Sequence, residues 1–143
     1  MKVSHLLESK GSEVSTISQE RTVKDAVALL KERGIGALVV TGATPPLVGM
    51  FSERDVVRAL ATSGEKALDQ KVADLMSRDV VTCTLATDLN ELMTTMTERR
   101  FRHVPVVEDD RLLGLISIGD VVKARLEELE HDKRDLLDYV SGR

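Results

Sequence analysis

The chain has 143 residues, with 20 Lys and Arg against 24 Asp and Glu, a net charge of −4 and 42% hydrophobic residues. This length and apolar content suit one folded unit with its own core and exclude long-range disorder. The mild acidity, without a segregated basic block, argues against nucleic acid as a partner.

Residues 1–13 form an N-terminal segment, and residues 14–62 form the first of two similar units. The first helix of this unit is indicated by apolar residues at spacings of three and four, by an N-cap at Thr22 and by Gly34 at its end. Its strands are short and apolar. The predicted elements are a strand at 14–17, a helix from Val23 to Gly34, strands at 35–41 and 47–51, and a helix from Glu53.

A linker follows at 63–79, in which Val72, Leu75 and Met76 are spaced for a short helix. The second unit, residues 80–126, repeats the order of the first, with Asp88 as the N-cap of its helix. Residues 127–143 prolong the last helix as a C-terminal extension. The predicted elements of the second unit are a strand at 80–84, a helix from Leu89, strands at 101–107 and 112–116, and a helix from Ile118.

The two units align with each other, which indicates an internal duplication. Val40 matches Val106 at an offset of 66, and after the intervening turn Gly49 matches Gly114 at an offset of 65. We therefore predict a mixed α/β (α+β) fold of two β-α-β-β-α units related by a pseudo-twofold axis.

A Ser-x-x-Asp pattern opens the last helix of each unit, as Ser52 to Asp55 and as Ser117 to Asp120. Such a pair is a capping box, which stabilises a helix start by about 1 kcal/mol without any ligand. The same residues can bind a nucleotide, because a carboxylate accepts hydrogen bonds from both ribose hydroxyls and free helical amides attract phosphate. The residues alone favour neither interpretation.

A dense cationic group surrounds Phe101, between a helix and the next strand. Basic residues at this place can interact with the helix dipole and stay solvated, which we expect for Arg99. Guanidinium groups also bind phosphate in a bidentate manner. The group consists of Arg99, Arg100, Arg102 and His103, and the last three have the uncharged counterparts Gly34, Gly36 and Ala37, so the two units cannot form equal sites.

The duplicated pattern resembles the CBS domain, named after cystathionine β-synthase, and the pair resembles a stand-alone Bateman module. The resemblance covers nearly the whole chain. It implies a regulatory module, not an enzyme, that binds adenosine-containing ligands such as AMP, ADP, ATP, S-adenosylmethionine or NAD(H). It rests on segments 14–17, 22–26, 35–40 and 48–58 of the first unit and on segments 99–106 and 113–122 of the second.

The resemblance also implies roles for individual residues. The aspartates correspond to ribose acceptors, and the serines and the cationic residues lie near phosphate. Apolar strand residues correspond to an adenine slot, although core packing alone explains most of them, and strand propensity explains the adjoining threonines. The candidates are Ser52, Arg54, Asp55, Arg100, Arg102, His103, Ser117 and Asp120 for ribose and phosphate, Thr16 and Thr82 for either group, and Ile17, Ile35, Ala37, Cys83, Phe101, Val104 and Pro105 for adenine.

An enzyme is the weakest of three hypotheses. Cys83 and His103 could form a nucleophile and a base, but no orienting residue accompanies them, and a lone strand cysteine is usually inert. Together with His5 and His131 they show no metal-ligand spacing, so we expect no metal. An interaction protein with vestigial clefts is the other alternative, and the presence of both Ser-x-x-Asp aspartates argues against it.

We expect a cytoplasmic location. The apolar runs fall far below the about 20 residues of a membrane span, so we expect no membrane segment. The first residues, MKVSHLLESKG, lack a secretory apolar stretch. A single cysteine cannot form an internal disulfide and suits a reducing compartment.

The last helix keeps apolar residues at spacings of three and four as far as Val140. They can pack on the helix's own domain or form a dimer contact, while Lys133 argues against a strict coiled coil. Because proteins of the resembled family commonly form disk-like dimers, we expect a homodimer. We also expect that binding of AMP, ATP or NAD(H) shifts its conformational population and thereby signals to an unidentified target protein.

Overall fold

The computed structural model describes residues 1–142, and each half of the chain forms a small sheet flanked by helices. A short 3-10 helix at Gly64–Asp69 lies in the linker. The helices are α1 (Val3–Lys10), α2 (Val23–Arg33), α3 (Glu53–Ser63), α4 (Val72–Leu75), α5 (Leu89–Arg99) and α6 (Ile118–Val140), and the strands are β1 (Thr16–Ser18), β2 (Ala37–Thr41), β3 (Gly49–Ser52), β4 (His103–Glu108) and β5 (Arg111–Ser117).

The first unit has the predicted order of elements. β2 lies at the centre of a three-stranded sheet, parallel to β1 and antiparallel to β3. Thr22 caps α2, Gly34 ends it with a left-handed backbone (φ 62°), and α3 begins at Glu53. In the second unit Asp88 caps α5 and α6 begins at Ile118. These predictions are confirmed, and the short helix predicted in the linker is α4.

The strand predicted at 80–84 is wrong. Within residues 1–142 the second sheet contains only β4 and β5, and Cys83 forms a single parallel bridge to β4. In the first unit the Val39 amide donates to the Ser15 carbonyl at 3.1 Å, which extends the pairing of β1 with β2. The counterpart of Val39 is Pro105. Proline has no N–H to donate, so the equivalent hydrogen bond is lost and the pairing does not extend.

Each unit has its own hydrophobic core. The segment before the first unit packs into the core of the second, and the segment before the second unit packs into the core of the first. No element was assigned to the N-terminal segment from the sequence, but Val3, Leu6 and Leu7 of α1 are buried in the core of the second unit. α4 precedes the second unit, and Val72 and Met76 are buried in the core of the first. These crossing segments, α1 and α4, thereby connect the two units.

Two equivalent glycines allow the crossing segments to pack closely. A Cβ atom at Gly49 of β3 would lie 2.6 Å from the Ser77 carbonyl oxygen, just after α4. A Cβ atom at Gly114 of β5 would lie 2.7 Å from Leu7 Cδ2 of α1. Real Cβ contacts are not this short, so a larger residue at Gly49 would displace the backbone that follows α4, and one at Gly114 would displace the Leu7 side chain.

α6 continues for 23 residues, as the apolar spacing predicted. Val121 and Ala124 are buried near its start. No helix within residues 1–142 is long and apolar enough to cross a membrane. The exposed apolar side chains of α6, referred to below as the α6 stripe, are Val122, Leu126, Leu129, Leu136, Leu137, Tyr139 and Val140.

Candidate functional site

A cleft of about 570 Å³ lies between the two units. Residues at the starts of α3 and α6, at the end of α5 and in the segment after α4 form its walls. It brings together nine of the predicted ligand-binding residues. These are Ala37, Ser52, Arg54, Asp55, Arg100, Phe101, Arg102, His103 and Ser117.

Asp55 lines the cleft in the first turn of α3. The backbone amide of Ser52 donates to Asp55 Oδ2 at 2.8 Å, and the Ser52 hydroxyl donates to the same oxygen at 3.3 Å. These bonds close the start of the helix as a capping box does. Because both reach Oδ2, Oδ1 is available within the described residues. Capping and ligand binding are therefore compatible at Asp55.

Asp120 has similar capping bonds but a different environment. The Ser117 amide donates to Asp120 Oδ2 at 2.9 Å, and the Asp120 amide donates to Ser117 Oγ at 3.1 Å. The Lys10 ammonium also donates to Asp120 Oδ2 and to the Leu115 carbonyl. Burial raises the pKa of Asp120, but the hydrogen bonds from Lys10 and Ser117 together lower it more, so its pKa is below the usual value. Asp120 lies outside the set of residues that line the cleft.

The cleft is lined by four arginines and three carboxylates, a balance that favours an anionic ligand. Arg100 adopts a left-handed backbone (φ 59°) at the end of α5, where the first unit has Gly34. This conformation is uncommon for a residue other than glycine, so Arg100 is held at the cleft against a local backbone cost. The lining contains the arginines Arg54, Arg58, Arg100 and Arg102 and the carboxylates Glu53, Asp55 and Asp79.

His103 lines the cleft at the start of β4. Burial lowers the pKa of His103, and the positive charges of Lys10 and Arg102 lower it further, against the opposite effects of Asp120 and Glu53. The imidazole is therefore neutral at neutral pH, and it can donate one hydrogen bond to a ligand.

We expect His103 to make the stability of the protein depend on pH. Because its pKa is lower in the folded chain, the unfolded chain binds the proton first as the pH falls below about 6.5. The free energy of unfolding should therefore fall in this range, and His103→Gln should remove that part of the fall. Chemical unfolding of both proteins between pH 7.5 and 5.5 measures it. His5 and His131 are unchanged in the variant, so parallel curves would contradict the prediction.

Eight predicted residues lie outside the cleft, and their roles in binding stay predictions. Ile17 is buried in the first core, and Cys83 and Val104 are buried in the second. Burial raises the pKa of Cys83 to about 11, so its thiol is protonated at neutral pH and is a poor nucleophile. The eight are Thr16, Ile17, Ile35, Thr82, Cys83, Val104, Pro105 and Asp120.

The cleft also contains residues that the sequence analysis missed. Arg58 follows Arg54 by one helical turn, a spacing that would have predicted it on the same helix face. Asp79 was not predicted as a site residue, because it lies in the segment assigned to the linker and belongs to neither motif. The Arg99 side chain is half exposed, as expected. Its Nη2 lies 3.9 Å from Asp79 Oδ2, and its Cζ lies 5.3 Å from the centroid of the Phe101 ring, so Arg99 contacts two residues of the cleft wall.

Two duplicated sheet-and-helix units that share one cleft define a class of paired-repeat modules. The family model of the CBS domain matches residues 10–62 and 72–127. The chain belongs to the CBS-domain family, and the resemblance seen in the sequence is confirmed.

Known relatives agree with this assignment. The chain is 34% identical, over 98% of its length and 72% of the relative, to CBS domain-containing protein CBSX3, mitochondrial, from Arabidopsis thaliana. It is 46% identical in sequence to the CBS-domain containing protein ATU1752 from Agrobacterium tumefaciens. The crystal structure of that protein matches with a TM-score of 0.83, over 87% of this chain and 99% of that one. The CBS domain pair of protein MJ0100, solved with 5'-methylthioadenosine and S-adenosyl-L-methionine, shares the fold at 21% identity and a TM-score of 0.78, over 90% and 98% of the two chains.

Proposed function

We propose that this protein is a regulatory module that binds an adenosine-containing ligand with a phosphate group, such as AMP, ATP or NAD(H), in the cleft between its repeats. The observation that carries the proposal is the meeting of Asp55 with four arginines in one cleft. A carboxylate binds the ribose diol, and guanidinium groups bind phosphate.

The start of α3 supports this assignment. The Glu53 amide donates to the Gly36 carbonyl at 3.1 Å, which holds the helix start against the loop between α2 and β2. A helix N-terminus carries partial positive charge and attracts an anion. The MJ0100 pair, which shares the fold, is solved with two adenosine-containing molecules, and this supports the class of ligand.

The module acts by a population shift and not by catalysis. A ligand that contacts Asp55 of the first repeat and Arg102 of the second binds best to one arrangement of the two repeats. Because of that difference in affinity, binding raises the population of this arrangement. The surface presented to a cytoplasmic target protein changes with it. A purely structural adaptor, the alternative, would not respond to any adenosine compound.

Calorimetric titration of Arg102→Ala tests the phosphate assignment. We expect AMP affinity to fall about tenfold to a hundredfold, because a charge-assisted hydrogen bond contributes about 1.5 to 3 kcal/mol. Adenosine affinity should change little, since ribose and base contacts remain. Arg111→Ala, a matched control on the exposed start of β5, should leave both affinities unchanged. Equal losses for AMP and adenosine would contradict the assignment, and no binding of either compound by the unchanged protein at millimolar concentration would refute the proposed function.

We further propose that the α6 stripe is a homodimer contact. Its apolar side chains are large, and Leu126, Leu136 and Leu137 are each more than half exposed. On α3, Val57 is 66% exposed at the position equivalent to Val122 of α6, so both repeats present apolar residues on equivalent helices. A second copy of the chain offers the same two helices in return.

Leu129→Lys should weaken dimerisation about tenfold or more, because a leucine that the proposed dimer would bury is replaced by a charge. Sedimentation velocity over a range of concentrations measures the dimer dissociation constant. Asp138→Lys is the matched control, since the helical period places residue 138 on the side of α6 opposite to the stripe. A monomeric wild-type protein, or equal effects of the two substitutions, would show that the stripe does not form this contact.

A further inference from the structure

Lys10, the last residue of α1, connects the N-terminal helix to the start of α6. Its ammonium donates to the carboxylate of Asp120 and to the Leu115 carbonyl of β5. The side chains of this pair are only 32% and 26% exposed, so solvent screens the pair less than the exposed ion pairs of the surface. At the other end of α1, the Met1 amine lies 3.1 Å from Glu128 of α6.

The carbonyl equivalent to that of Leu115 has a different hydrogen-bond donor in the first repeat. The counterpart of Leu115 is Met50 of β3, which exchanges backbone hydrogen bonds with Ser77 at 2.8 and 2.9 Å. In the second repeat the crossing segment is helical at this place, and a side chain replaces the backbone partner. The Lys10 ammonium is thereby brought to Asp120, whereas Asp55 shares the cleft wall with Asp79.

We propose that Lys10 occupies the second ribose acceptor of the module, so that one chain binds one adenosine-containing ligand, at Asp55. This inference rests on the proposed function of the cleft. At Asp120 a ribose diol would meet a partly buried carboxylate whose charge is already paired with an ammonium group, while the hydrogen bonds to the Asp55 carboxylate within the described residues come only from its own serine.

The substitution of Lys10 leaves the other contacts of α1 in place. Val3, Leu6 and Leu7 bury their side chains in the second core, and the Val3 amide donates to the Thr87 carbonyl at 2.9 Å. Lys10→Met keeps the length and the apolar stem of the side chain and removes the ammonium. Circular dichroism verifies that the variant is folded.

Calorimetric titration with AMP and with adenosine measures the number of sites per chain. We expect one site in the wild type, two in Lys10→Met, and one in the double variant Lys10→Met with Asp120→Asn. Lys71→Met, which removes an exposed lysine paired with Glu20 at 2.8 Å, should keep one site. Two sites in the wild type, or a single site in Lys10→Met, would overturn the inference.

A second measurement uses the native lysine. Asp120→Asn alone should leave the affinity and the number of AMP sites unchanged, while Asp55→Asn should weaken AMP binding at least tenfold. A loss of AMP binding in Asp120→Asn would overturn the inference even if Lys10→Met failed to fold. The absence of any AMP or adenosine binding by the wild type would refute the proposed function itself, which is a different outcome from an unexpected number of sites.

Discussion

Replacement of Asp55 by alanine is expected to weaken the binding of AMP and of adenosine by about tenfold to a hundredfold. The variant loses the carboxylate that accepts the ribose hydroxyls, a contribution of about 1.5 to 3 kcal/mol. Both ligands should be affected equally, because both contain the ribose. Calorimetric titration of the folded variant measures the loss.

The control for Asp55→Ala is Asp25→Ala. Asp25 closes a capping box with Thr22 at the start of α2, where the Asp25 amide donates to the Thr22 hydroxyl at 3.2 Å, and it lies outside the cleft lining. Each variant should lose about 1 kcal/mol of stability through its helix cap. Only Asp55→Ala should lose affinity. Unchanged affinity in Asp55→Ala would mean that this aspartate serves the helix alone.

The largest expected effect on stability belongs to Phe51→Ala. Phe51 of β3 has no exposed surface and is among the largest fully buried side chains of the protein, in the core of the first unit. Its truncation should lower the free energy of unfolding by about 3 to 5 kcal/mol, through lost burial and an unfilled cavity. Urea unfolding followed by circular dichroism measures the change.

Ile116 is the counterpart of Phe51 in β5 and is equally buried, which makes it a matched reference. Ile116→Val removes one methyl group and should cost only about 0.5 to 1.5 kcal/mol. If Phe51→Ala cost no more than Ile116→Val, the first core would have collapsed around the cavity, contrary to the expectation.

The elements that could be predicted from sequence were those with local signals. Thr22 and Gly34 delimit α2 because an N-cap and a left-handed glycine act on the nearest backbone groups. The strand at 80–84 failed for a reason that is not local: its pairing depends on an amide that Pro105, more than 20 residues away, does not have. α1 was missed because its burial is decided by a surface that forms from the far end of the chain.

The same distinction holds for the candidate site. The cleft gathers Ser52 and Asp55 with Arg102 and His103, as the two motifs and the resemblance had led us to expect. Symmetry between the repeats does not extend to the surroundings of Asp120, because Lys10, which lies outside both motifs, pairs with this aspartate. A contact between residues that are 110 positions apart leaves no periodic or compositional trace in a single sequence.

The crossing of α1 and α4 between the repeats also sets an order of folding during synthesis. The first core needs Met76 and can close once α4 has left the ribosome, before most of the second unit exists. α1 is made before either unit, and its apolar face stays uncovered until the second unit, including β5 at Gly114, has been made. Chains are made from the N-terminus and domains fold as they emerge, so we expect the second unit to close after the first and to take up α1 as it does so. Until that point Val3, Leu6 and Leu7 lack the core that buries them in the finished protein.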